Sequence, residues 1–149
     1  MVITADALRT QREHVTDLHA RGAHWVLQVK GNQPTLRRQL AALPWRHVTQ
    51  GHRSAETGHG RREIRTLKVV TVATSVDGGI AFPHARQAIQ VTRRTRPVRA
   101  RTGHKGRWRT ETVYAITDLG PHQARPYELA AWVRGHWQIE VRHEVALCE

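Results

Sequence analysis

The chain has 149 residues, enough for one domain with a real core. It carries 24 Lys and Arg against 12 Asp and Glu, a net charge of +12, which favours a polyanionic partner, nucleic acid by default. The lone Cys148 excludes a disulfide framework and a cysteine-built zinc site, and no stretch has the pattern of a membrane span or a secretory leader, so the expectation is a soluble, cytoplasmic protein with no membrane partner.

Met1 to Asp6 reads as a buried strand. Thr10-Gln11-Arg12-Glu13 has the form of a capping box and predicts a helix carrying Val15 and Leu18, with Gly22 as its stop. Ala23 to Val29 reads as a second strand. Lys30-Gly31-Asn32-Gln33 is a turn, and Pro34 stands where a first helical residue would. Leu36, Leu40 and Leu43 mark one face of a short helix that stops at Pro44. Strand, helix, strand, helix in 44 residues predicts an α/β fold whose sheet is mostly parallel.

After Trp45 the character changes. Gln50 to Gly60 is polar and rich in Gly and His, which predicts a mobile loop. Glu63 to Thr74, Ala88 to Thr92 and Arg107 to Asp118 read as strands, the last with Trp108, Tyr114 and Ile116 on one side. The run Arg93 to Arg101 and the segment Thr102 to Gly106 predict a hairpin or meander. A final helix starts near Pro126.

Charge is uneven. Residues 51–110 hold 14 of the 24 Lys and Arg and only 3 acids. Arg93, Arg94, Arg96, Arg99, Arg101, Lys105, Arg107 and Arg109 are therefore candidates for a DNA backbone track. Trp108 among them is a candidate for stacking on a base. The competing explanation is a solvated β edge guarded against aggregation. No helix-turn-helix or zinc-finger spacing supports reading of a specific DNA sequence.

Two carboxylates stand out. Glu140 follows Trp132, Val133, His136 and Trp137 at helical spacing, on a side that otherwise packs. Asp6 closes an apolar strand. Each alone reads as structural. Together, in so basic a chain, a strand-end and a helix-borne carboxylate suit an enzyme that cuts phosphodiesters with two divalent ions.

Val2-Ile3-Thr4-Ala5-Asp6-Ala7-Leu8-Arg9-Thr10-Gln11, with Val29-Lys30-Gly31-Asn32-Gln33-Pro34-Thr35-Leu36, resembles the middle of insertion-sequence transposases of the ISAs-one family. Gly58 to Arg65 and Arg134-Gly135-His136-Trp137-Gln138-Ile139-Glu140 resemble the same family, in the same order. The resemblance implies a DDE transposase with an RNase H-like core: a partial mixed sheet with flanking helices and a β-rich insertion. It implies that Asp6 is the second catalytic aspartate and Glu140 the catalytic glutamate, both holding Mg²⁺ or Mn²⁺. It implies that Arg134, His136 and Trp137 position the helix and approach DNA, and that Lys30, Asn32 and Gln33 contact double-stranded DNA near the transposon end. The expected organisation is a core over 1–44, a basic insertion over 45–119 and the glutamate helix over 120–149.

No acid stands where the family's first aspartate would. The expectation is a truncated transposase fragment, inactive alone, with weak or absent metal binding and an open sheet edge that invites self-association. The alternatives are a non-catalytic nucleic-acid-binding module and a nuclease whose site a second copy completes.

Overall fold

The structure is a computed structural model. It describes residues 2–6, 11–72, 80, 82–98 and 106–135, with Ala5, Asp6, Gln11 and Arg12 described by their backbone alone. β1 (Val2–Asp6) leads to α1 (Gln11–Ala20), β2 (His24–Val29) and α2 (Pro34–Ala41), then a 3-10 turn at Trp45–His47. β3 (His52–Gly58), β4 (Arg61–Thr71), β5 (Gln87–Pro97) and β6 (Arg109–Thr117) follow, and residues 126–135 are helical, here α3. The described strands form one sheet in the order β1-β2-β6-β5-β4-β3. β1 and β2 are parallel and every other neighbour is antiparallel, so the mostly parallel sheet expected from the first 44 residues is overturned: the later strands join by antiparallel pairing. This mixed sheet, curled into a half-barrel between helices, is the α/β arrangement expected of a partial RNase H-like core.

Alternation along β2 sorts the core. Trp25, Leu27 and Val29 join Val15 and Leu18 of α1, Leu36 and Leu40 of α2, Trp45, Phe82, Tyr114 and Ile116 on one face. Val26 joins Leu67, Ile89, Val91, Ala115 and then Leu129 and Val133 of α3 on the other. The sheet is therefore covered on both faces. Two glycines are dictated by geometry. Gly22, at φ +72°, ends α1 as a Schellman cap: its N–H bonds the His19 carbonyl, and the Ala23 N–H bonds that of Leu18. At Gly51 a Cβ would sit 3.0 Å from the Pro126 Cβ, so any larger residue would push the start of α3 back by a few tenths of an ångström.

β2 stops at the row Val29, Tyr114, Gln90, Lys68. Beyond it β3, β4, β5 and the first half of β6 continue as an antiparallel arm to Arg61 and Pro97, about 20 Å at the usual strand rise. The loop expected over Gln50 to Gly60 is overturned, because His52–Gly58 is β3. This edge strand is held by its ladder to β4, not by burial, so it has no apolar alternation to read. β5 likewise runs on past Thr92 through the arginines to Pro97. Trp108, Tyr114 and Ile116 share a side, as the alternation predicts: the last two lie in the α1–α2 core, and Trp108 meets Arg94 and Arg96 further along that face.

Candidate functional site

Parallel pairing sets the C-terminal ends of β1 and β2 side by side. Asp6 pairs with Gln28, two residues beyond Thr4 and level with it in the strand repeat. The turn Lys30 to Gln33 leaves β2 at this same end, closed by the Gln33 N–H on the Lys30 carbonyl at 3.1 Å. The ends of parallel strands are where α/β sheets collect ligands. Trp132 and Val133 of α3 lie against Thr4, Val26 and Gln28 there. Gln28 is buried, and its Oε1 has no hydrogen-bond partner among the described residues. Buried acceptors ordinarily have a donor.

α3 runs from Pro126 against Gly51 to Arg134 on Glu56, and so heads toward the arm end of the sheet, the end that holds Asp6. Arg134 grips Glu56 with both terminal nitrogens. His136, Trp137 and Glu140 lie outside the described residues, as do Arg99, Arg101 and Lys105.

Asp118 is no partner for Asp6. It sits at the opposite end of β2, level with Trp25, three residues or about 10 Å along the strand. Its carboxylate accepts the Trp25 N–H at 2.9 Å and faces His24 Nδ1 at 3.2 Å. Asp17 is exposed on α1 and pairs with Arg21. Among the described residues no three of His, Cys, Asp and Glu stand where they could hold a metal together.

The arm has two unlike faces, sorted by register. On the α3 side Glu63 lies between Arg65 and Arg93, and Arg93 also reaches Glu111. Burial pushes the Glu63 carboxyl up, but hydrogen bonds and charge from Arg93 and Arg65 outweigh it and hold it at about 2. Arg93 is raised in turn, chiefly by its bond to Glu63. On the other side Arg94 and Arg96 lie over the ring of Trp108, 4.7 and 4.5 Å from it. Arg107 and Arg109, its chain neighbours, are exposed, and register puts Arg109 on the α3 side. The structure thus places Arg93 and Arg134 in ion pairs and gathers Arg94, Arg96 and Trp108 into one cluster.

The family described as Transposase DDE domain matches residues 2–145, nearly the whole chain, spanning Asp6, the arm and Glu140. The chain belongs to the transposase DDE domain family. No curated protein and no solved structure matches it. Among the described residues of this transposase-family chain, no helix is long and apolar enough to cross a membrane. The family implies a divalent ion. Among the described residues, Gln28 Oε1 is a hard oxygen donor of the kind that Mg²⁺ takes and has no hydrogen-bond partner.

Gln28, Glu56 and Glu63 escape a reading of the sequence. Gln28 leaves a trace, as the one uncharged polar residue in the apolar run after His24. The partners of Glu56 and Glu63 follow from strand register alone.

Proposed function

We propose that this chain contributes Asp6 and Glu140 to the DDE site of an insertion-sequence transposase of the ISAs-one type, which cleaves transposon-end DNA and transfers the strand. The observation that carries this is the family match across residues 2–145, with Asp6 closing a core strand beside an open buried acceptor. Asp6 and Glu140 would hold Mg²⁺ or Mn²⁺, which when bound supplies charge stabilisation at the phosphoryl oxygens. Gln28 would orient Asp6 or a water beside it. Lys30, Asn32 and Gln33, at the same sheet end, would meet the DNA backbone near the reacting phosphate. Trp132 and Val133 would keep the floor of the site dry. His136 and Trp137 would seat the glutamate helix against DNA.

Two carboxylates position two ions poorly, and no other acid of this chain matches the third position. The 149 residues by themselves would therefore bind DNA without transposing it. The test is duplex DNA carrying terminal inverted repeats, incubated with the purified chain and Mn²⁺, beside Asp6→Asn and Glu140→Gln. Mn²⁺ binding seen by electron paramagnetic resonance, weak and reduced in both variants, is expected, with no strand cleavage. Metal-independent DNA binding together with no Mn²⁺ binding would favour a non-catalytic nucleic-acid module. Cleavage abolished by Glu140→Gln would show a self-sufficient nuclease.

A further inference from the structure

Both faces of the arm set like charges directly opposite each other, and only one of them offers those charges partners of opposite sign. On the α3 face Glu56 opposes Glu63, and four arginines surround them: Arg134 on Glu56, and Arg61, Arg65 and Arg93 on Glu63. On the other face Arg62 opposes Arg96, which puts their Cβ atoms about 5 Å apart, a destabilising arrangement for like charges. Among the described residues neither Arg62, Arg94 nor Arg96 has a carboxylate partner. Arg62 donates to the Thr57 hydroxyl at 2.9 Å. Arg96 Nε is buried and has no partner among the described residues. Register assigns every acid of the arm, Glu56, Glu63 and Glu111, to the α3 face. The segment 99–105 contains no acid to compensate.

Apart from Ile64 and Ala55 beside Arg94, donors line the rest of this face. Thr66, Thr92 and Thr112 form one cross-strand row next to Arg53, and Thr110 sits opposite Arg94. Trp108 is not left open for a base on the side that Arg94 and Arg96 occupy. It holds two guanidinium groups side by side, which lowers the freedom they would lose on gripping phosphate. We propose that the arm binds double-stranded DNA through this face alone, with Arg62, Arg94 and Arg96 as phosphate contacts and Trp108 as their support. The α3 face holds all the acids of the arm, paired with Arg61, Arg65, Arg93 and Arg134, and is left for packing. This rests on the reading of the chain as a DNA-handling transposase domain, and adds to it the side that the DNA takes.

Neighbouring arginines give the test, because they differ in face and not in charge. Arg62→Gln with Arg96→Gln removes two charges from the proposed face. Arg61→Gln with Arg109→Gln removes two from the other. Binding of the full chain to a duplex is followed by fluorescence anisotropy over a salt series, with circular dichroism to check folding. The first pair should lose tenfold or more in affinity and flatten the slope of log K against log salt by about 1.8, since each phosphate contact contributes about 0.9. The second pair should stay within about twofold. Arg62→Lys with Arg96→Lys keeps the charge and should retain most of the binding. Equal losses from the two pairs, or a larger loss from the second, would overturn the one-sided assignment while leaving DNA binding intact. A wild-type chain that ignores duplex DNA at low salt would overturn the underlying reading as well.

Discussion

Arg134 and Glu56 are 78 positions apart in sequence and meet through two parallel hydrogen bonds of 2.9 and 3.0 Å. The fork joins the last described turn of α3 to β3, at the edge of the sheet. Its hydrogen bond and charge hold the Glu56 carboxyl below the usual carboxylate range and raise Arg134. Such geometry is the stronger kind of ion pair, though an exposed one is screened by salt. Glu56→Gln should therefore speed amide hydrogen exchange in residues 126–135 and leave β2 and β6 protected. High salt should narrow the difference between the two proteins.

Glu63 makes the arm acid-sensitive. Its folded pKa is about 2, below the ordinary value of 4.5, so its stabilisation is complete above about pH 4.5 and is lost as pH falls through about 2. Urea unfolding from pH 6 down to 2 should show wild type more stable than Glu63→Gln by a constant margin at the upper end. That margin should shrink below about pH 4.5. A margin independent of pH would mean that the carboxylate charge contributes nothing.

The open acceptor of Gln28 should cost stability in the absence of a ligand, about 1–3 kcal/mol for a buried polar group without a partner. Gln28→Leu should raise the melting temperature in chelator. If Gln28 serves the Asp6 site, the same change should abolish any rise in melting temperature that Mn²⁺ gives the wild-type chain.

Leu129 fastens α3 to the sheet and is 1 % exposed, whereas Tyr127, two residues earlier, is 56 % exposed. Leu129→Ala should cost about 2–5 kcal/mol in urea unfolding. Tyr127→Ala should stay within about 0.5 kcal/mol.

Much of the fold is legible in the sequence where one local rule governs. The apolar run of β2, the leucine spacing of α2 and the glycine that ends α1 all sit where sequence places them. β3 is not legible, because His52–Gly58 has no core face and owes its conformation to a neighbour made later. The arginines of β5 hide a strand for a related reason: they alternate between two solvated faces, so no apolar period survives. Asp6 is conspicuous as an acid closing an apolar strand. The Arg134–Glu56 fork has no local spacing to betray it, and the split of the arm into an ion-paired face and one without acids appears only once register is known.

The sheet order also governs when the core can close. β2 takes β6 as its antiparallel neighbour, about 90 residues downstream, while β3, β4, β5 and β6 pair in succession. Nearby pairings form fast and distant ones slowly. On an emerging chain the arm can zip as each strand appears, but Trp25 and Leu27 wait beside a vacant strand position until residues 114–117 leave the ribosome. The N-terminal unit thus spends most of synthesis with its central strand half-paired, and the last strand of the sheet decides whether the first two have a domain to belong to.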